Sequence, residues 1–414
     1  MDLGVGNDDY PDERLPTRNP PRFPPVPFDF SVSMNVLVYR PELEKEEVFE
    51  NVLIRDVESS DEEDNSSNVV AFELADGDNR DRAYWLQSTL MKAIYGRVRL
   101  ATVLRKRNRT ENDTFLAEWE ITNERCAVKQ MSRQQINKNR QRLAENPIQE
   151  IHAMQYISSS LLPIGGNANR EAFASVMNEC NVLLPLDVLF DDKYLYSIMP
   201  YCNGGELFTR LDESTKFTEA QARYWMRQIL QGVQTLQDVG ICHRDMSLEN
   251  ILIHDNNCYI MDFGMCCRVP FTNIQDDSEG VFLPNMRGDR QMLNADRTMG
   301  KWSYMSPEIA QSNEPFDGFA IDLWAVGAML FTMVAGFHPW SRPDRAEERF
   351  LYLTGGYLER MLTEWGLGLS PAILDLLQKM LFYDARDRLS LAQILAHPWM
   401  QGEVEAPDIR PSWS

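Results

Sequence analysis

The sequence predicts an α+β fold, with strand-forming segments in the first half of the chain and helices in the second half. Apolar, β-branched runs at 84–104 and 184–199 indicate two pairs of strands. Residues 218–239 begin with a capping box and carry one apolar face, which predicts an amphipathic helix. The run 322–334 is apolar on nearly all sides, which is typical of a buried helix. The 414 residues suffice for one large domain with a tail, or for two or three domains.

The overall composition argues against several classes of protein. A net charge of -21 does not favour general affinity for nucleic acid. The first nine residues lack the basic start and apolar core of a signal peptide, and no uncharged apolar run reaches the length of a membrane span. The seven cysteines contain no Cys-x-x-Cys pair. The cysteine pattern predicts reduced thiols in a cytoplasmic or nuclear protein. Together with the charge and the lack of a long apolar run, it predicts a protein that binds neither nucleic acid nor membrane.

The N-terminal extension, residues 1–82, is acidic and rich in proline. It holds 21 acidic and 8 basic side chains and therefore carries -13 of the net charge. Such a segment buries too little apolar surface to offset the entropy of ordering, so we expect it to be largely disordered. Short strands could still dock at Val36–Tyr39 and Val52–Ile54. At the other end, residues 401–414 are predicted to be a short tail.

The stretch 241–264 contains two polar triplets joined by a predicted hairpin. His243-Arg-Asp245 is followed five residues later by Asn250, then by two short strands, and then by Asp262-Phe-Gly. Either triplet alone occurs by chance in unrelated loops, whereas the two in this order and spacing make coincidence improbable. Phosphoryl transfer requires a group that orients a hydroxyl and oxygen ligands for Mg²⁺, and these residue types supply both.

This stretch resembles the catalytic core of the eukaryotic-type protein kinases, serine/threonine class. The resemblance covers residues 83–400. It implies a bilobal fold with a β-rich small lobe at about 83–199, a hinge at 200–202 and a mainly helical large lobe at about 203–400, with ATP and Mg²⁺ bound between them.

The resemblance also assigns roles to individual residues. Asp245 is expected to accept the proton of the substrate hydroxyl, while Asn250 and Asp262 hold the metal. Lys129, in Cys126-Ala-Val-Lys129, is expected to bind phosphate and to form an ion pair with Glu150. The other expected nucleotide contacts are Gly96, Val98, Ala127, the gatekeeper Met199, the hinge residues Pro200, Tyr201 and Cys202, then Glu206 and Leu252.

Two departures from the family pattern bear on activity. Met91 and Ala93 stand where the first two glycines of the phosphate-covering loop belong, so a stiffer lid with weaker nucleotide contact is expected. Ser247 replaces the lysine that steadies the γ-phosphate in most family members, and Lys301 stands where the family usually has threonine. We hypothesise that the Lys301 ammonium takes the vacated place. The alternative is that positions 247 and 301 changed independently and that Lys301 faces solvent.

Three further roles follow from the resemblance. Asp322, in the apolar helix, is expected to brace the catalytic loop, and Arg388 is expected to pair with Glu308. Thr298 is the predicted phosphorylation site of the activation segment, because a phosphate there could pair with Arg244 and order the loop.

The function implied is transfer of the ATP γ-phosphate to serine or threonine hydroxyls of proteins, and basic residues are expected near the acceptor. The segments Gly-Gly-Glu-Leu-Phe and His397-Pro-Trp resemble the calcium/calmodulin-dependent group, but its calmodulin-type basic helix is not seen in the sequence. A pseudokinase that serves as a binding module is the competing class, favoured by the missing glycines and by Ser247. A small-molecule kinase is disfavoured by the Ser-Pro-Glu308 segment, which resembles a peptide-binding ledge.

Overall fold

Strands dominate the first part of the structure and helices the second, as the sequence predicts. The computed structural model describes residues 33–40, 45–55, 69–72, 82–107, 119–139, 146–161, 170–190, 193–269, 290–293, 300–311 and 315–407. The chain divides into two units. The β-rich unit holds the described residues from 33 to 147 and residues 183–202, whereas the helical unit holds those from 148 to 182 and from 203 onward.

The β-rich unit contains an eight-stranded sheet. Its strands are β1 (Ser33–Arg40), β2 (Lys45–Arg55), β3 (Val69–Phe72), β4 (Arg82–Ala93), β5 (Gly96–Lys106), β6 (Trp119–Ser132), β7 (Asp187–Phe190) and β8 (Tyr194–Pro200). Their order in the sheet is β1-β2-β3-β4-β5-β6-β8-β7, and β1 also pairs with the start of β6. The first six strands therefore close into a ring. One short helix, α1 (Arg133–Asn139), follows β6.

Strands β1 to β3 lie inside the extension for which disorder was the main expectation. The two candidate docking segments, 36–39 and 52–54, fall within β1 and β2. Sheet pairing satisfies backbone N–H and C=O groups whatever the polarity of the side chains, so an acidic composition does not prevent it. The sheet consequently begins about fifty residues before the predicted domain start at residue 83.

The tight turn between β4 and β5 depends on a glycine. Tyr95 is buried at the turn, and its carbonyl accepts a hydrogen bond from the Ser132 N–H at 2.7 Å. This contact brings β6 so close that a Cβ at position 96 would overlap the backbone oxygen of Gln130. Gly96 is thus required by the packing of the sheet, independently of any contact with a nucleotide.

Replacing Gly96 with alanine is therefore expected to destabilise the protein. The clash is with backbone, which cannot move aside as a side chain would, so we expect a loss of about 1–3 kcal/mol in the free energy of unfolding. Denaturant unfolding would measure it. Gly355→Ala is the matched control, since a Cβ there meets only a Tyr357 ring carbon at 3.9 Å. Equal stability of the two variants would contradict the prediction.

The helical unit is built from ten helices and five short strands within its described residues. The helices are α2 (Pro147–Leu161), α3 (Arg170–Cys180), α4 (Leu207–Ser214), α5 (Glu219–Asp238), α6 (Pro307–Gln311), α7 (Gly318–Ala335), α8 (Glu348–Tyr352), α9 (Leu358–Glu364), α10 (Pro371–Met380) and α11 (Leu391–Leu395). The strands are β9 (Gly205–Glu206), β10 (Ile241–Cys242), β11 (Ile251–His254), β12 (Asn257–Ile260) and β13 (Cys267–Arg268).

The two helices singled out in the sequence are both present. Helix α5 begins with the predicted capping box, in which Thr218 and Gln221 bond each other's backbone N–H groups. By length and composition, helix α7 could cross a membrane. However, 94% of that stretch is buried inside the protein. An all-round apolar helix that is buried in this way forms the centre of a protein core.

Helix α2, which carries Glu150, belongs to the helical unit rather than to the β-rich unit. Gln149 donates a hydrogen bond to the carbonyl of Cys266, and the Tyr156 hydroxyl donates to the carbonyl of Val239 at 3.3 Å. The Arg268 guanidinium lies 5.6 Å from the centre of the Tyr156 ring. These contacts attach α2 to the segments on either side of the catalytic loop, whereas the predicted boundaries kept it in the small lobe.

Candidate active site

A buried carboxylate holds the catalytic loop in place. Asp322, in α7, accepts hydrogen bonds from the backbone N–H of His243 at 2.6 Å and of Arg244 at 2.8 Å. Arg244 has a φ of 67°, a left-handed conformation that is unfavourable for a residue with a side chain. The two hydrogen bonds stabilise this conformation, and the bracing role predicted for Asp322 is present in the structure.

The environment of Asp322 also affects its ionisation. Burial raises the pKa of Asp322 to about 6, against the opposing influence of His243 and of the two backbone donors. The His243 ring is fully buried, and its Nε2 lies 2.9 Å from the carbonyl oxygen of Met261. The loop is thus fixed both to α7 and to the residue that precedes Asp262.

Asp245 and Asn250 form a single hydrogen-bonded unit. The Asn250 side-chain amide donates to the backbone oxygen of Asp245 at 2.7 Å and to its Oδ2 at 3.0 Å. The side chain of Asp245 is 12% exposed. A carboxylate that is fixed and only partly accessible can orient a hydroxyl group and receive its proton.

The predicted hairpin brings Asp262 to the same place as Asn250. Strands β11 and β12 pair from Ile251 opposite Ile260 to His254 opposite Asn257. Next to the Ile251–Ile260 pair, the Met261 N–H donates to the carbonyl of Asn250 at 2.9 Å, so Asp262 follows directly at the open end of the hairpin.

The side chains of Asn250 and Asp262 offer oxygen atoms of the kind that bind a divalent metal. Asp262 offers a carboxylate and Asn250 an amide oxygen, and Mg²⁺ in phosphate-transferring sites takes one or two such protein ligands plus substrate phosphates and water. Among the residues that the structure describes, no group of three or more His, Cys, Asp or Glu side chains could hold a metal alone. Asn250 and Asp262 are therefore suited to a metal that arrives with phosphate.

Lys301 lies beside the catalytic carboxylate rather than in open solvent. Its Nζ donates to Ser247 Oγ at 2.7 Å and to Asn250 Oδ1 at 3.4 Å, and it lies 3.6 Å from Asp245 Oδ2. Its backbone N–H donates to Asp245 Oδ1 at 3.3 Å. The structure thus brings together Ser247 and Lys301, the two residues of the second departure from the family pattern.

Sequence reasoning missed Gly300. This residue has a φ of 95°, and a Cβ at its position would lie 3.1 Å from the Arg244 carbonyl oxygen and 3.4 Å from Asp245 Oδ1. A glycine is therefore required for the Lys301 segment to reach the catalytic loop. Its place directly before the unusual lysine is the signal in the sequence that could have identified it.

Four predicted nucleotide contacts share one face of the β-rich unit. Val98 lies opposite Lys129 in the β5–β6 pair, and Ala127 lies opposite Met199 in the β6–β8 pair. Because side chains alternate along a strand, Ala127 and Lys129 point to the same side. The opposite side packs into an apolar core of Tyr84, Leu86, Ala101, Val103, Cys126, Val128, Tyr196 and Ile198.

The remaining predicted contacts are divided between the two units. Gly96, Pro200 and Cys202 belong to the β-rich unit, and burial raises the pKa of the Cys202 thiol to about 12. Glu206 and Leu252 lie opposite each other where β9 pairs with β11 in the helical unit. Glu150 is 3% exposed in α2, and its ion pair with Lys129 stays a prediction, as do the nucleotide contacts themselves.

The predicted ion pair in the large lobe is present. Arg388 donates to both carboxylate oxygens of Glu308, at 2.7 and 2.9 Å, and its guanidinium lies 4.4 Å from the centre of the Trp324 ring. Trp324 in turn donates from Nε1 to the Met305 carbonyl at 3.0 Å. These bonds fix the end of the activation segment. Thr298, the predicted phosphorylation site, lies outside the described residues.

A pocket opens next to this arrangement in the helical unit. Its lining includes Arg244, Asp245, Lys301 and Ile309. This small pocket lies between the loop that carries Asp245 and the end of the activation segment.

These features match the residue types that phosphoryl transfer requires, on an α+β fold, and comparison with known families identifies the class. The sequence model of the protein kinase domain matches residues 114–400, more than half of the chain. The chain therefore belongs to the protein kinase domain family. The match begins after β5, so the hairpin that lacks two of the family's glycines lies outside it.

Several curated relatives are serine/threonine kinases or carry the name kinase. The chain is 25% identical over 333 residues to "Fatty acyl-CoA synthetase and RNA processing-associated kinase 1" of Saccharomyces cerevisiae, covering 79% of this chain and 33% of the relative. It is 30% identical over 222 residues to CBL-interacting protein kinase 1 of Oryza sativa, covering 53% and 43%. It is 32% identical over 241 residues to the yeast serine/threonine-protein kinase GIN4, covering 58% and 19%. The chain thus spans less than half the length of each.

Proposed function

We propose that this chain is a protein serine/threonine kinase that transfers the γ-phosphate of ATP to serine or threonine hydroxyls of protein substrates. One observation carries the proposal: Asp245, Asn250 and Asp262 come together where the catalytic loop meets the open end of the hairpin. Membership of the kinase family and the names of the relatives agree with it.

In the proposed reaction, Asp245 orients the substrate hydroxyl and receives its proton. The hydroxyl oxygen forms a bond to the γ-phosphorus, the bond from this phosphorus to the bridging oxygen breaks, and ADP leaves. Asn250 keeps the Asp245 carboxylate oriented through its 3.0 Å hydrogen bond. When bound by Asn250 and Asp262, Mg²⁺ would neutralise phosphate charge.

The β-rich unit would supply the adenine and phosphate contacts. Val98, Ala127 and Met199 are apolar side chains on one sheet face and suit the flat adenine ring. Lys129, on the same face, would bind the α- and β-phosphates and pair with Glu150. Pro200, Tyr201 and Cys202 would present backbone groups to the adenine edge.

The pseudokinase alternative is not favoured, because the residues required for transfer are retained. One assay tests the choice directly: the full chain is incubated with γ-labelled ATP, Mg²⁺ and a serine peptide that contains arginines. We expect labelling of the peptide that is lost with EDTA and with an alanine in place of the acceptor serine. Nucleotide binding without any labelling would instead support the pseudokinase.

The substrate is proposed to carry basic residues near the acceptor. Burial, followed by the negative charge of Glu249, raises the pKa of Glu206, whereas Lys301 lowers it. A bound cation reduces the repulsion between two neighbouring carboxylates, and an arginine of the substrate can provide that cation.

This preference can be measured with paired peptides. The wild type is expected to favour an arginine-containing serine peptide over its alanine counterpart by about tenfold in kcat/KM, the equivalent of one charge-assisted hydrogen bond. Glu249→Gln should reduce that ratio while preserving turnover of the alanine peptide. Glu359→Gln is the control, since Glu359 is an exposed carboxylate in α9. An unchanged ratio in Glu249→Gln would contradict the proposal.

A cytoplasmic or nuclear location is also part of the proposal. All seven cysteines are buried and lie outside disulfides, and the sulfur atoms of Cys242 and Cys267, in neighbouring strands, lie 3.3 Å apart. Close thiols that stay unlinked suit a reducing compartment.

A further inference from the structure

The side chain of Lys301 places a positive charge where this chain lacks the usual catalytic-loop lysine. We propose that Lys301 is a catalytic residue whose ammonium binds the γ-phosphate of ATP in place of the lysine that Ser247 replaces. The inference rests on the proposed function and assigns a residue of the activation segment to the phosphate site.

The geometry supplies the first argument. Position 247 is two residues after Asp245, and its serine side chain is completely buried. Lys301 Nζ lies one hydrogen bond, 2.7 Å, from Ser247 Oγ. The ammonium therefore occupies the space into which a longer side chain at position 247 would extend.

The second argument is that this position faces both the base and a metal ligand. Nζ lies 3.6 Å from Asp245 Oδ2 and 3.4 Å from Asn250 Oδ1. A phosphate transferred to a hydroxyl at Asp245 must pass next to these atoms. An ammonium group has three donors, and those that point to Asp245 and Asn250 make only long contacts, so they can turn toward a phosphate oxygen.

Exposure and backbone geometry supply the third argument. The Lys301 side chain is 39% exposed, so a phosphate can reach it without rearrangement of the core. Its backbone is fixed by the close approach of Gly300 to Arg244 and by its own N–H bond to Asp245 at 3.3 Å. A charge held in this way stabilises the transferring phosphate without reorganisation during the reaction.

A purely structural role is the alternative, in which Lys301 only ties the activation segment to Ser247. The two roles differ in what they require of the side chain. A tether needs a hydrogen-bond donor, which glutamine also provides, whereas a phosphate contact needs the charge. Lys301→Gln therefore separates them, and Lys301→Ala removes both.

The first measurement is nucleotide binding by calorimetry with the full chain and Mg²⁺. The probes are the non-hydrolysable β,γ-imido analogue of ATP, which retains a γ-phosphate, and ADP, which lacks it. We expect Lys301→Gln and Lys301→Ala to bind the triphosphate about tenfold more weakly, with ADP binding unchanged. Lys216→Met, at an exposed lysine after α4, is the control and should bind both like the wild type.

The second measurement is rescue by relocation of the charge. In the double variant Ser247→Lys with Lys301→Ala, the space vacated by Lys301 accepts the new side chain, and the family arrangement is restored. We expect the single variant Lys301→Ala to lose about 10²-fold in kcat. The double variant should regain this kcat and the triphosphate affinity. Thermal unfolding of each variant establishes that it is folded.

The outcomes separate this inference from the proposed function. Selective loss of triphosphate binding in Lys301→Gln supports the inference even if the wild type transfers no phosphate, in which case only the proposed function fails. Wild-type binding and turnover in Lys301→Gln would overturn the inference while the function stands. A wild-type protein that binds the triphosphate no better than ADP would also overturn it.

Discussion

Replacement of Asp245 with asparagine is expected to lower kcat by about 10²–10⁴-fold, the usual contribution of a positioned general base. The substitution preserves size, and the 2.7 Å bond from Asn250 to the backbone oxygen of residue 245 remains available. What is lost is the ability to receive the hydroxyl proton. Steady-state kinetics on the arginine-containing peptide would measure the change.

A matched substitution separates chemistry from charge. Asp212→Asn removes one negative charge from an exposed position in α4 and should leave kcat unchanged. Asp245→Asn should retain its melting temperature and its affinity for ADP. Retention of kcat within about twofold in Asp245→Asn would remove the catalytic assignment, since a base contributes far more than this.

Replacement of Asp322 with alanine is expected to damage both stability and activity. Two backbone N–H groups, of His243 and Arg244, would lose their acceptor in a buried place. Each unsatisfied donor costs about 1–3 kcal/mol, so the free energy of unfolding should fall by about 2–6 kcal/mol. The left-handed backbone of Arg244 would lose its support, and Asp245, the next residue, would move with it.

Ionisation of Asp322 should also appear in the pH dependence. Its pKa in the folded protein is about 6, above the ordinary value of 3.8, because burial disfavours the charged form. The folded state therefore holds this proton more tightly than the unfolded state does. The part of the stability that comes from binding this proton is complete below pH 3.8 and is lost as the pH rises through about 6, whereas the hydrogen bonds to the catalytic loop remain.

Activity should change in the opposite direction. The ionised carboxylate is the form with two full acceptors for the catalytic loop, so kcat should rise as the pH increases through about 6. In Asp322→Asn this inflection should disappear, because the amide does not titrate in that range and offers a single acceptor oxygen. A pH profile of kcat for Asp322→Asn that matches the wild type would contradict the bracing role.

The local architecture of the site could be predicted because it depends on short spacing along the chain. A tight hairpin returns Asp262 to Asn250. Asp245 precedes Asn250 by only five residues, so it must lie close to the same point. Longer-range partners such as Arg388 with Glu308 were also predictable, although only through the family resemblance. Local sequence patterns alone do not indicate which residues eighty positions apart form an ion pair.

Other features depend on information that the sequence does not display. The acidic composition of residues 1–82 concealed strand β3 and the full length of β1 and β2, because backbone pairing satisfies N–H and C=O groups whatever the charge of the side chains. The reason for Gly96 is the approach of Gln130 from another strand, which no local pattern indicates. The attachment of α2 to the helical unit likewise follows from the contacts of Gln149 and Tyr156.

Helix α7 holds two functional segments through residues only two positions apart. Asp322 holds the catalytic loop, and Trp324 holds Met305 at the end of the activation segment. The positions of the catalytic loop and of the end of the activation segment therefore both depend on one rigid helix. A displacement of this helix, for example by a larger residue at Gly327 against Leu381, would shift both segments in step. In such a variant we expect turnover and peptide affinity to change together.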